Sequence, residues 1–225
     1  MKCIFPFLLL LLLASCGREE EPMDLSHDYM PLSINRFWVY EVEETIYFGE
    51  GDQETSQYYL RDIITNSYIN NDGVLVYMVN RQKSMDQLNW VEKSTHSFHI
   101  KNNALVRHSE NKTLVVLVFP PKDLAAWDGN IYNSENTDEY SMVLLNSYDL
   151  NPGLYNRVTK VTQENEDDQI TIRDNRYEVY AKNVGMIEQY HEVLTYCSRN
   201  DCLGDQIIDG GSFRHLKLID NGQLQ

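Results

Sequence analysis

Positive charge is scarce in this chain. Nineteen Lys and Arg stand against 34 Asp and Glu, a formal net charge of −15 over 225 residues. Binding to nucleic acid or to anionic headgroups needs basic patches that release counterions, and none is present, so no nucleic-acid partner is expected. Helical periodicity is missing as well: no segment of ten or more residues repeats its apolar positions at helical spacing, which argues against bundles and alternating α/β units. Catalytic fingerprints are absent. There is no His-Glu-x-x-His, no Walker loop and no Rossmann glycine pattern, so no cofactor is assigned. Gly210-Gly211-Ser212-Phe213-Arg214 is not a nucleophile elbow, and Ser212 reads as a turn residue.

The remaining polar clusters are weak as sites. His96 and His99 stand three apart, which on a strand puts them on opposite faces and makes a poor chelate, so exposed or partly packed histidines are expected. Asp128, Asn130, Asn133, Glu135, Asn136 and Asp138 offer calcium-type oxygens without EF-hand spacing, and read as a solvated loop. Carboxylates are abundant, but one sequence does not place two of them at the separation glycoside hydrolysis needs. No catalytic and no metal-ligating residue is therefore assigned, and a non-enzymatic protein is expected.

What is present starts at the first residues. Lys2 precedes an apolar run from Ile4 to Leu13, which ends in Leu13-Ala14-Ser15-Cys16. A positive start, a short apolar core and small residues before the cut make an export signal, because the run is too short for the roughly 20 apolar residues of a spanning helix. A cysteine directly after Leu-Ala-Ser resembles the lipobox of bacterial lipoproteins, which implies that Cys16 is lipidated and becomes the first mature residue. Three acyl chains, each buried methylene contributing about 0.8 kcal/mol, would hold such a protein at a membrane almost permanently. The strip Gly17-Arg18-Glu19-Glu20-Glu21-Pro22 holds no apolar residue and reads as a stalk. It resembles the acidic export signal of surface-exposed lipoproteins in Bacteroidetes-type bacteria, and equally reads as a solvated linker. The expected organisation is a signal peptide over 1–15, a lipidated N-terminus and stalk over 16–31, and one domain over 32–225, attached to the outer membrane.

The domain reads as all-β. Fifteen tyrosines, many asparagines and only six prolines suit pleated surfaces and tight turns. From Phe37 to Phe48, Trp38, Tyr40, Val42, Ile46 and Phe48 share one face, interrupted by Glu44. Asn70-Asn71-Asp72-Gly73 is a turn leading into Val74–Val79, and Lys112–Phe119 is a second strand apolar on both faces. Further strands are predicted over 89–93, 97–101, 104–108, 140–145, 157–163, 169–173, 176–182, 186–197 and 213–219, with 163–168 as an exposed hairpin loop. About a dozen short strands favour an antiparallel sandwich or a strongly curved, barrel-like sheet.

Three islands add a family resemblance. Met30-Pro31-Leu32 with Phe37-Trp38-Val39-Tyr40-Glu41-Val42, Phe119-Pro120-Pro121 with Trp127-Asp128-Gly129-Asn130, and Tyr177 through Ile187 together resemble uncharacterised lipoproteins of Bacteroidetes-type bacteria. Those commonly show a "PL…G..W.Y.V" opening, a "W.GN" middle and a "YAKGVGLI" strand pair. Asn35 and Asn183 stand where turn glycines are usual, and Asn tolerates the left-handed geometry such turns need. The resemblance implies no reaction.

Two side-chain groups are candidate sites. Trp127, Tyr177 and Tyr180 would form a ligand-stacking surface, or else serve as core and cross-strand partners. Cys197 and Cys202, outside the reducing cytoplasm, are expected to form a disulfide that pins a loop and contributes about 2 kcal/mol. The expected role is binding of a small hydrophobic or glycan ligand, or of an envelope protein, with the membrane reached through the lipid. A hydrolase acting on polysaccharide or envelope material is the alternative, suggested by location alone.

Overall fold

A computed structural model of the protein describes residues 24–134, 136–151 and 153–224. The leader, Cys16 and the acidic strip lie outside the described residues. Most of the rest is strand. β1 (Arg36–Gly49), β2 (Asp52–Ile69), β3 (Leu75–Ser84), β4 (Val91–Lys101), β5 (Ala104–Ser109) and β6 (Lys112–Val118) form one run of hairpins. β7 (Ala126–Asp128), β8 (Glu139–Leu150), β9 (Gly153–Asp167), β10 (Ile172–Ala181), β11 (Gly185–Tyr196) and β12 (Ile208–Gln223) form a second. β12 pairs antiparallel with β1, so both runs join in one 12-stranded sheet that starts at β6 and ends at β7.

The two edges of that sheet meet again. The Val115 N–H donates to Gly129 O at 2.9 Å, and the Trp127 indole N–H donates to Val115 O at 2.8 Å. Asn133 completes the seam with its side-chain amide, accepting from the Thr113 N–H at 3.1 Å and donating to the Thr113 carbonyl at 2.8 Å. An amide side chain thus stands in for a peptide group of a neighbouring strand. The result is a nearly closed barrel, which covers the unpaired edges that make open sheets aggregate.

The oxygen-rich cluster is solvated only in part: Asn136 is exposed, while Asn130 and Asn133 belong to this seam. Asn130 is buried, accepts from Asn133 at 2.6 Å and donates to the Asn136 carbonyl at 2.9 Å. Asp128 accepts from the N–H groups of Asn130 and Asp138 at 2.9 and 3.1 Å. These oxygens are spent on hydrogen bonds that hold the loop against the edge of β6, while Glu135 lies outside the described residues.

Several strand boundaries differ from the sequence-based expectation. β2 is absent from it: its polar first half and the inward Asp62 hide an alternation in which Tyr58, Leu60 and Ile64 are buried. The segments predicted at 89–93 and 97–101 are parts of β4, and those at 169–173 and 176–182 meet in β10. β9 runs on to Asp167 with Gln163 buried, so the turn is at 168–171, where the Asp168 carboxylate accepts from the N–H groups of Ile170 and Thr171 at 2.8 and 2.7 Å. Ser212 lies within β12 opposite Ile46 and not in a turn. In β1 the apolar face is buried only as far as Val42; Ile46 and Phe48 are exposed because the strand outruns the core.

One end of the barrel is plugged by chain that the boundary at residue 32 leaves outside the domain. A 3-10 turn over His27–Tyr29 delivers Tyr29 and Met30 into the core. Asp28 O accepts from the Asn183 N–H at 2.7 Å, and the His27 ring meets Phe119 edge-on at 4.8 Å. The first and last sequence islands pack together here: the Trp38 indole N–H donates to Val184 O at 2.7 Å, and the Tyr40 hydroxyl to Met186 O at 3.1 Å. A Cβ on Gly185, at φ +107°, would stand 2.7 Å from Trp38 Nε1, so this position admits no side chain. Asn35 and Asn183 take the left-handed conformation at φ 67° and 65°. At the other end, Cys197 and Cys202 are bonded in the β11–β12 connection with Cα atoms 5.9 Å apart.

Trp38 is 1% exposed, so Trp38→Ala should cost about 3–5 kcal/mol through the cavity it leaves. Cys197→Ser combined with Cys202→Ser should remove only about 2 kcal/mol, since the loop is short. Thermal and denaturant unfolding of each variant measures both, and a Trp38→Ala protein that melts with the wild type would contradict the packing described.

Candidate functional site

The lumen is not a plain apolar core. Alternation along each strand sends every second side chain inward, and several inward positions are charged. Asp62 on β2 lies directly opposite Arg81 on β3 and accepts from its Nε and Nη2 at 2.7 and 2.6 Å. Arg107 on β5 and Glu178 on β10 project from facing walls and meet at 2.8 Å. Glu178 also accepts from the Tyr180 hydroxyl, and from Gln189 Nε2 at 2.6 Å.

Burial raises both carboxyl groups, but the arginines beside them more than offset it. Arg81 holds Asp62, and Arg107 holds Glu178, below the usual carboxylate range, so both stay ionised. His96 is buried rather than exposed or partly packed, because it shares the inward face of β4 with Phe98 and lies in the lumen beside Asp62, 3.9 Å away. Burial pushes its imidazole down to about 4 despite that carboxylate, so it is neutral at pH 7. Tyr40 and Tyr180 are pushed well above their ordinary values by burial and stay protonated as donors.

All of these groups except Glu178, which lies fully buried behind Arg107, line a cavity of about 330 Å³. Met30, Trp38 and Met186 lie toward its plugged end, and Ser109, Glu110 and Lys112 at the β5–β6 turn form its mouth, where Glu110 and Lys112 are exposed. Arg214 from β12 and His191 from β11, neighbours in register, line the wall between. Burial lowers the pKa of His191 as well.

Trp127, Tyr177 and Tyr180 do not form one surface. Tyr180 points into the lumen. Tyr177, three residues earlier, faces the other side of β10, where it stacks on Tyr190 with ring centres 5.1 Å apart and 2° between planes. Trp127 is fixed at the seam. On the outer face Glu188 accepts from the Tyr148 hydroxyl at 2.5 Å and from the Tyr177 hydroxyl at 3.3 Å, and bonds His215 Nε2 at 2.6 Å. Those groups satisfy one another. No cluster of three or more His, Cys, Asp or Glu is placed to hold a metal among the described residues.

Asp62, Arg81, Arg107, Glu178 and Arg214 carry the site, and sequence reasoning singled out none of them as functional. The usable signal was a charge at inward parity: Asp62 between Leu60 and Ile64, and Glu178 two residues before Tyr180. Only Glu44 was noticed in this way.

No protein-family model matches the chain, and no curated protein matches it. Among solved structures it is similar to a "putative lipoprotein" from Parabacteroides distasonis, at 9% identity and a TM-score of 0.43, over 86% of this chain and 98% of that one. It is also similar to a "putative exported protein with YmcC-like fold" from Bacteroides fragilis, at 12% identity and a TM-score of 0.37, over 86% and 98% of the two chains. Neither description names an activity or a ligand.

The buried titratable groups make stability depend on pH in one direction. His96 has a folded pKa of about 4, below its ordinary 6.5, so the unfolded chain takes up its proton first and stability falls as pH drops from 6.5 to 4. That loss is about 3 kcal/mol. Asp62 and Glu178, with depressed values, add stability that is present above the ordinary carboxylate range and is lost as pH falls through their folded values. His96→Gln should therefore flatten the decline of unfolding free energy between pH 6.5 and 4. Parallel curves for variant and wild type would show that His96 does not titrate as described.

Proposed function

We propose that the protein is a lipid-anchored envelope protein whose barrel lumen takes up a small polar ligand without transforming it. The observation that carries this reading is the cavity of about 330 Å³ with a mouth at the β5–β6 turn and a lining of aromatic walls and fixed polar groups. That size and chemistry match small-molecule sites, which combine apolar walls with a few convergent polar groups. The polar lining favours a glycan-like molecule over a hydrophobic one. Attachment rests on the lipobox-like leader and Cys16, and the outer membrane is the proposed location. The described residues begin at the plugged end, opposite the mouth, where Asp24 lies beside Lys182.

A hydrolase is the second reading, since two carboxylates do face the lumen. Glycosidic chemistry needs one carboxyl group kept protonated by a raised pKa. Asp62 and Glu178 are both held ionised and locked to arginines, which favours binding over hydrolysis.

The two methionines of the lumen report its occupancy. In the full chain labelled with 13C at methionine methyls, a panel of small sugars and organic acids should include compounds that shift Met30 and Met186 saturably, while Met85, exposed in the β3–β4 loop, stays unmoved. Ser109→Trp, which fills the mouth, should abolish those shifts with little change in melting temperature. If no compound moves either lumen methyl, or Ser109→Trp leaves the shifts intact, the lumen is not the binding site.

A further inference from the structure

We infer that the lumen is an oxyanion site: its ligand carries a carboxylate or phosphate group that the guanidinium of Arg214 receives. This rests on the reading of the lumen as a ligand cavity and adds the chemical class of what enters. Three arginines line the cavity, and their states differ. Arg81 is held in a two-pronged ion pair with Asp62, and Arg107 in an ion pair with Glu178. Arg214 has no counterpart of this kind. Its Nε is buried without a hydrogen-bond partner, and no carboxylate of a described residue lies within ion-pair distance of it.

Arg214 is partly buried, and a donor left unpartnered away from water is costly, so a folded chain retains one where something else takes the bond. No ion pair of a described residue takes it. Arg81 and Arg107 repel Arg214 across the lumen, and burial disfavours its charge further. Glu44 lies directly opposite Arg214 in the β1–β12 register and attracts it, but no ion pair forms between them, and Glu44 Oε2 accepts from the Tyr58 hydroxyl at 3.0 Å. Lys83 and Lys93 sit over the Tyr58 ring, 3.7 and 5.2 Å from its centre, adding positive charge beside the same carboxylate.

The charges of the lining are paired except at one place. Asp62 offsets Arg81 and Glu178 offsets Arg107, which leaves Arg214 as the guanidinium of the lining without an ion pair. Planar nitrogen donors in a fork match the two oxygens of a carboxylate or phosphate, and His191, next to Arg214 in register, places a second ring donor beside it. A volume of about 330 Å³ admits an acid of monosaccharide size.

The test uses three hexoses of similar shape: glucuronate, glucose 6-phosphate and glucose. Each is titrated into the full chain in an uncharged polyoxyethylene detergent, with calorimetry and the methyl signals of Met30 and Met186 as readouts. At least one anion should bind saturably, with glucose weaker by about tenfold or more, as the loss of charge-assisted hydrogen bonds predicts. Which anion binds tells a carboxylate ligand from a phosphate ligand. Arg214→Gln should weaken the anion by about tenfold or more while melting at or above the wild-type temperature, because it removes a partly buried, unpaired charge. Arg214→Lys keeps the charge and loses the fork, so it should bind between the two, and it carries the test if Arg214→Gln does not fold. Glucose binding as tightly as the anions, or unchanged anion affinity in either variant, overturns the assignment. Neutral compounds moving the lumen methyls while neither anion does would overturn it and leave the cavity reading standing. Silence from every compound would remove both.

Discussion

The ion pair between Arg107 and Glu178 spans the barrel, and the interior is arranged around it. Its partners come from β5 and β10, strands on facing walls of the sheet. Taking two charges out of water costs several kcal/mol per ion, which Coulomb attraction offsets only when the remaining hydrogen-bonding capacity is satisfied. Here Tyr180 and Gln189 satisfy the carboxylate. The pair therefore fixes the distance between two walls that would otherwise close on an apolar core. It also keeps polar groups at the centre of a small all-β domain, leaving a space rather than a packed interior.

The rest of the chain stabilises that arrangement from its two weak points. A sheet curled into a barrel must close its edges and fill at least one end. Closure falls to the Asn133 amide and the Trp127 indole, which bond to the backbone of β6 where no regular ladder continues. The end is filled by residues 27–30, which lie beneath Trp38 and against the β10–β11 turn, with Gly185 leaving room for the indole. The opposite end stays open because β5 and β6 are shorter than β1 and β2. Lumen, plug and mouth thus follow from strand length and from a few side chains that substitute for backbone.

Sequence reading found the fold class because alternation and turn chemistry are local. Trp38, Tyr40 and Val42 alternate with Glu41 and Glu43, and Asn70-Asn71-Asp72-Gly73 marks a turn whatever lies beyond it. The site was hidden because its residues violate the same alternation. Asp62 and Glu178 stand at inward positions, where a charge reads as an outward one or as an end of strand, and their partners Arg81 and Arg107 lie on other strands. Nothing local couples Arg107 to Glu178 across 71 residues. Trp127, Tyr177 and Tyr180 failed as a group for a related reason: residue type suggested one surface, while the odd spacing of Tyr177 and Tyr180 sends them to opposite faces.

A double-mutant cycle on Arg107 and Glu178 reads whether the pair holds the two walls apart. Unfolding free energies would be measured at pH 7 for wild type, Arg107→Met, Glu178→Gln and the double variant. The account predicts that each single change leaves one buried charge unpaired and costs about 3–5 kcal/mol, while the double change costs far less than the sum of the two. Additive losses within about 0.5 kcal/mol, as found for independent sites, would mean that the two residues do not meet across the lumen and that the walls are held apart by something else.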